Sequence, residues 1–285
     1  MRHILLPTDF SENAKNAIRY ALNFYNKQAC HFTFLHAYKV NDYEEASLLT
    51  PIPRESLLKE VQKEKKKRLQ KLIKEVENEQ ENKLHKYDFV TANKSLVSAV
   101  KEEISKKKIT LVVIGTQGHT GAIEVVYGSN TVNLMEEIQK CPVLAVPAQI
   151  SFHGLSEIVL ANSFKVELNP EDLHFLIELS FEFRSPIRIL HIEEEGGLNE
   201  MQKRNKKNLK ERLSMENVDY TFHSLEYLSI PLGIYSFVES RGSEIIAFIN
   251  KKHGFFENLL FDPLYKNLAH YSKVPVLILH QPKSG

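Results

Sequence analysis

The chain has 285 residues, with 37 Lys plus Arg against 36 Asp plus Glu, and 42% of its residues are apolar. That balance lacks the basic excess of a dedicated nucleic-acid binder, and the apolar fraction suffices for the core of one large or two ordinary domains. No window approaches the roughly 18 apolar residues of a membrane span, and the N-terminal apolar run is interrupted by Pro7 and Asp9 too early for a signal peptide. Neither nucleic acid nor membrane is an expected partner, and the cytoplasm is the expected compartment. The only cysteines, Cys30 and Cys141, have no metal-spaced or C-x-x-C partners, so buried thiols are expected rather than a disulfide or a zinc site.

In chain order, His3 to Leu6 reads as a buried strand ending at Pro7-Thr8-Asp9. From Ser11, a plausible N-cap, the residues Ala14, Ala17, Ile18, Ala21, Leu22 and Tyr25 recur at helical spacing. Phe32 to Tyr38 forms a second strand. A long helix follows over about Ser56 to Asn78, whose run Lys63, Lys65, Lys66, Lys67, Arg68, Lys71 and Lys74 reads as a solvated face. A third strand near Tyr87 to Ala92 precedes a helix from Ser95 to Lys106. The fourth strand, Leu111 to Ile114, runs into the stretch Gly115 to Thr131, and a fifth covers Pro142 to Val146. Alternating strands and helices argue for a parallel sheet with helices on both faces, because each parallel crossover needs a helix-length connection. Ligands in such sheets bind beyond the carboxyl ends of the strands, where strand order reverses. Asp9 and Gly115 both follow strands and belong to that rim.

The Gly115 stretch reads Gly-x2-Gly-x9-Gly-Ser, with glycines at Gly115, Gly118 and Gly128 and Ser129 directly after. It is neither a Walker loop nor a G-x-G-x-x-G fingerprint. Glycines that admit close backbone approach, followed by a helix start with free N–H groups, suit an anion and read as a phosphate cradle. After a junction near Gln149 to Leu155 the pattern repeats. Glu157 to Phe164 matches His3 to Phe10, Ile189-Leu190-His191-Ile192 matches Phe34-Leu35-His36-Ala37, and Pro275 to Ile278 matches Pro142 to Ala145. The fold class expected is α/β, two tandem copies over residues 1–148 and 156–285. In the second copy Ile249, Lys252, Phe261 and Asp262 stand opposite Gly115, Gly118, Gly128 and Ser129, and Ser163 stands opposite Asp9. Bulk and negative charge there should defeat anion binding.

Pro7-Thr8-Asp9-Phe10-Ser11, the Leu35-His36-Ala37 strand end and the Gly115-x2-Gly118-x9-Gly128-Ser129 loop together resemble the universal stress protein family in its tandem two-domain form. The resemblance covers the whole chain in architecture but only the first half in motif. It implies a Rossmann-like fold of the adenine nucleotide alpha hydrolase type, a five-stranded, mostly parallel sheet per copy that pairs through its last strand. The two halves would then form an intrachain pseudo-dimer, and a homodimer is a further option. It also implies ATP with Mg²⁺ as the ligand. Carried over by position, Pro7, Thr8 and Asp9 would border the adenosine, and Ala37 would present backbone groups to adenine. Ile114 and Gly115 would line the ribose side, Gly118 and His119 the phosphate loop, and Gly128, Ser129, Asn130 and Thr131 the phosphates.

No acidic cluster beside the loop identifies a protein ligand for Mg²⁺. Asp9 could instead only cap the first helix. His119 is a tempting general base, but its counterpart His253 persists in the copy without glycines, so no catalytic residue is assigned. His36 and His191 at matching strand positions fit a packing or rim role. The expected function is an ATP-binding regulatory module of the stress response with little or no hydrolysis. The alternatives are a nucleotide-independent scaffold for an unidentified protein partner and a slow ATP hydrolase.

Overall fold

A computed structural model of the chain describes residues 1–39, 54–79, 82–116, 128–193, 196–226, 228–250 and 274–280. The first copy contributes β1 (Arg2–Pro7), α1 (Glu12–Phe24), β2 (Cys30–Tyr38), α2 (Arg54–Glu79), β3 (His85–Asn93), α3 (Leu96–Lys106), β4 (Leu111–Gly115), α4 (Ser129–Glu137) and β5 (Val143–Val146). The second contributes β6 (Ile158–Ala161), α5 (Pro170–Phe183), β7 (Ile187–Ile192), α6 (Glu200–Met215), β8 (Tyr220–Leu225), α7 (Ile230–Arg241), β9 (Ile245–Asn250) and β10 (Val276–His280). Ser11 caps α1 by accepting from the Ala14 N–H, as its position at the start of the apolar periodicity implied. Both cysteines are free and buried. No helix among the described residues is long and apolar enough to cross a membrane.

The strands form one ten-stranded sheet in the order β3-β2-β1-β4-β5-β10-β9-β6-β7-β8. Among the described residues every pairing within a copy is parallel, and the one antiparallel pairing joins β5 to β10, with Leu144 opposite Leu277. Strand order reverses between β1 and β4 in the first copy and between β6 and β9 in the second. These strands are buried on both faces, which is why Leu111-Val112-Val113-Ile114 and Ile158-Val159-Leu160 read as continuous apolar runs instead of alternating. Two apolar layers sandwich the sheet and each runs through both copies. One holds Phe32, Phe34, Leu69 and Leu160 beneath α1, α2, α5 and α6, and the other holds Leu5, Val112, Val143 and Val159 beneath α3, α4 and α7.

Side chains reinforce the seam between the copies. Asn16 on α1 donates to the Pro147 and Ile150 carbonyls, both at 3.0 Å, and so ties the connecting segment down. Phe152 of that segment packs between Tyr20, Phe24 and Phe183, at ring separations of 5.5, 5.0 and 5.8 Å. Arg2 at the start of β1 reaches Glu178 and Glu182 on α5, at 3.2 and 2.9 Å. Directly after the connecting segment, a part-buried network forms around Glu157. Glu157 accepts from Arg241 at 2.7 and 2.8 Å, from Ser243 and from Arg188.

Candidate functional site

The rim at the β1–β4 reversal is built first by the loop after β1. The Thr8 N–H donates to the Leu35 carbonyl at 2.8 Å, carrying the parallel pairing one residue beyond Pro7. Thr8 Oγ1 then accepts from the Phe10 N–H at 3.0 Å, and Asp9 Oδ1 from the Ser11 N–H at 2.9 Å. These bonds hold Phe10 at φ 68°, in the left-handed region that a bulky residue rarely enters. Its ring lies 4.5 Å from His36 and 4.1 Å beneath the Arg68 guanidinium. His36 Nδ1 stands 2.7 Å from the Thr8 carbonyl, and since a carbonyl only accepts, that nitrogen carries the hydrogen. Burial lowers the His36 pKa; the Thr8 hydrogen bond opposes this, and the charges of Lys65 and Arg68 add to it. The long helix thus contributes to the rim. Lys63, Lys66, Lys67, Lys71 and Lys74 are solvated as the charge run suggested, but Lys65 is only 4% exposed.

The rim is completed by the end of β4 and the start of α4. Ile4 and Leu5 pair with Leu111 and Val112, so the two strand ends emerge side by side. Gly115 closes β4 where α1 crosses it. A Cβ there would lie 2.8 Å from the Asn13 side chain and 2.9 Å from the Asn13 carbonyl oxygen. The glycine is therefore demanded by helix packing, whatever a ligand requires. The Gly128 N–H donates to the Thr116 carbonyl, at 2.6 Å, which brings the two ends of the glycine stretch together. Gly128 is the N-cap of α4 and has no side chain to cover the first turn, and Ser129 and Asn130 after it are exposed.

Two expected contacts are otherwise engaged. Thr131 is 3% exposed and its hydroxyl donates to the Gly115 carbonyl at 2.8 Å, so it braces the strand end and offers no phosphate donor. The Ile114 side chain is buried in the layer beneath α3 and α4, leaving only its backbone toward a ligand. Ala37 is placed differently. The β1–β2 pairing ends at Pro7 opposite Leu35, and Ala37, two residues on, directs its backbone to the same side of β2, past the end of β1. Gly118 and His119, and their counterparts Lys252, His253, Phe261 and Asp262, lie outside the described residues.

The second copy separates scaffold from site. The Asn162 N–H donates to the Leu190 carbonyl at 2.9 Å, its side chain accepts from the Phe164 N–H at 2.7 Å, and Phe164 has φ 56°. His191 Nδ1 stands 3.0 Å from the Asn162 carbonyl, and Phe164 packs 5.1 Å from the His191 ring. The strained turn and its histidine clamp thus recur with Ser163 in place of Asp9, and they belong to the fold. Two features do not recur. Ala37 is replaced by Ile192, which is buried against Gly233 of α7, where a Cβ would meet Ile192 Cδ1 at 2.5 Å. The helix after the first strand starts at Pro170, well past Ala161, whereas α1 starts at Glu12 directly after the Pro7 loop, and Ile249, which stands at the position of Gly115, is a partly buried side chain packed against the core. A small residue at the Ala37 position and the tight crossing at Gly115 are particular to the first copy. Sequence reasoning did not find Asn13 or Thr116, and it read Lys65 and Arg68 as part of a solvated face.

A family model described as the universal stress protein family matches residues 1–147. A search of curated proteins found no significant match. Among solved structures, a universal stress protein from Archaeoglobus fulgidus superimposes with a TM-score of 0.72 at 15% identity, covering 98% of both chains. One from Pseudomonas aeruginosa, described as a putative universal stress protein, gives 0.60 at 12% identity, covering 98% of this chain and 93% of its own. The cytoplasmic domain of a prokaryotic cation chloride cotransporter gives 0.54 at 10% identity, covering 98% and 95%. Such identities establish the fold, and the fold alone serves more than one kind of protein. On the family match over more than half its length, the chain belongs to the universal stress protein family.

Proposed function

We propose that the first copy, residues 1–148, binds ATP with Mg²⁺ and acts as a nucleotide-responsive module of the stress response, with little or no hydrolysis. The second copy, residues 156–285, serves as its ligand-free partner. Family membership supports the stress-response role. The observation that carries the nucleotide reading is the uncapped start of α4. Exposed Ser129 and Asn130, behind a glycine cap with no side chain, offer first-turn N–H groups and a hydroxyl at the β1–β4 reversal, where the positive end of the helix favours an anion. Beside it the backbone of Ala37 suits the edge of adenine, and Asp9 lies on the same rim. Mg²⁺ would arrive with the nucleotide and neutralise its phosphates, with Asp9 bordering the adenosine and no protein ligand assigned to the ion. The reading assigns no catalytic residue: Asp9 Oδ1 accepts from the Ser11 N–H and the His36 Nδ1–H donates to the Thr8 carbonyl, which are turn-holding roles that the second copy's Asn162 and His191 partly repeat. Two free buried thiols fit a cytoplasmic setting.

The test is calorimetry with Mg·ATP on the intact protein and on Ser129→Asp. A carboxylate in the first turn of α4 favours the helix but repels phosphate, so thermal stability should hold or rise. Binding should weaken by about 10- to 100-fold, the loss expected when a hydrogen bond to a charged group is removed and repulsion replaces it. No binding at millimolar ATP in the intact protein, or equal binding by Ser129→Asp, would overturn the reading.

A further inference from the structure

A second cluster of chemistry-bearing side chains lies at the opposite end of β1 from Asp9. His3 and His31 are directly opposite in the β1–β2 pairing, and Asp88 on β3 is opposite Thr33, two residues beyond His31 on the same face. The two imidazoles are stacked 4.5 Å apart and within 4° of parallel. Their nitrogens point the same way. His3 Nε2 is 2.8 Å from Thr33 Oγ1, and His31 Nε2 is 3.5 Å from Asp88 Oδ2. One ligand atom from each of His3, His31 and Asp88 lies within 4.8 Å of the others, and all three side chains are partly exposed, so an ion can enter from solvent.

A cation already occupies this convergence. Lys107, just past α3, places its ammonium 2.8 Å from Asp88 Oδ2 and 3.3 Å from Thr33 Oγ1. The same ammonium has another carboxylate within reach, Glu103 Oε2 at 3.5 Å. Lys107 can therefore release Asp88 and still remain paired.

We propose that His3, His31 and Asp88 form a binding site for a divalent transition ion of the zinc type, which displaces the Lys107 ammonium toward Glu103. Two imidazoles and one carboxylate from three adjacent strands are a donor set that such ions favour over Mg²⁺ or Ca²⁺, which take oxygen ligands. The remaining coordination positions face solvent and take water. The ion would clamp β1, β2 and β3 together at the edge of the sheet that carries the nucleotide-type rim, but the site shares no residue with that rim and does not depend on it.

The test is a calorimetric titration of the untagged protein with Zn²⁺ alone at neutral pH, in the absence of nucleotide, with thermal melts of each metal-free variant as a folding control. One equivalent should bind. His31→Ala and Asp88→Asn should each weaken binding by more than about tenfold, since even outer partners of metal ligands are worth that much. Lys107→Met removes a competing charge a few ångströms away and should tighten binding about tenfold. Absence of binding, unchanged affinity in both His31→Ala and Asp88→Asn, or weaker binding by Lys107→Met would each overturn the site. Mg·ATP binding by these variants should remain as in the parent protein.

Discussion

Gly115→Ala will destabilise the protein by about 2–3 kcal/mol and weaken nucleotide binding with it. The added methyl would stand 2.8 Å from the Asn13 side chain and 2.9 Å from its carbonyl oxygen, and a backbone atom cannot rotate away. Overpacking of this kind costs roughly 1–3 kcal/mol. Relief requires the start of α1 to move off β4, which carries the Ser11 cap and the Asp9 turn with it. Chemical denaturation without nucleotide measures the first effect, and Mg·ATP calorimetry the second. A glycine kept only for a ligand would show the second effect alone, so an unchanged denaturation midpoint for Gly115→Ala would refute the packing account. The pair Gly115→Ala and Ser129→Asp separates a rim that has been displaced from a rim that is intact but repels its ligand.

Glu157→Gln will cost about 3 kcal/mol at neutral pH, the largest loss expected from a single polar substitution among those considered. Burial by itself would raise the pKa of this carboxyl, but hydrogen bonds from Arg241, Ser243 and Arg188 outweigh it and hold the group down at about 2. A carboxyl depressed from about 4.5 in the unfolded chain contributes its stabilisation fully above that pH. The contribution is lost as pH falls through the folded value. The shift corresponds to roughly 3 kcal/mol, the same order as breaking a buried ion pair by removing one partner. The gap in stability between parent and Glu157→Gln should therefore be constant from neutral pH down to about 4.5 and narrow from there toward 2. A gap that stays constant over the acid range would mean that the charge of Glu157 contributes nothing. The network joins the first residues of the second copy to Arg241 and Ser243, just before β9, so the substitution should loosen that copy first.

Local features of the chain were legible without the structure. The order of strands and helices, the cap at Ser11, the repeat and the all-apolar central strands follow from hydrophobic periodicity and turn chemistry, which act between residues near in sequence. The phosphate-cradle reading of Gly128 and Ser129 rested on the same kind of signal, a glycine before a helix. Thr131 and Ile114 looked equally available from their positions in the motif, but the first is spent on the Gly115 carbonyl and the second on the core. Position in a motif does not tell which way a side chain faces. The Lys63–Lys74 run was read by composition as solvated, and one member, Lys65, turns inward because helical phase aligns it with buried Val61 and Leu69.

By itself the sequence determined that this is a two-copy α/β chain with a glycine-bearing rim in its first half, because apolar spacing dictates which segments become buried strands and which faces of helices cover them. The tertiary structure alone decided that α1 presses on Gly115, that Arg2 and the Phe152 cluster hold the copies together, and that His3, His31 and Asp88 meet. Those contacts depend on cross-strand register and helix crossing, which join residues far apart in the chain and leave no periodic trace in it.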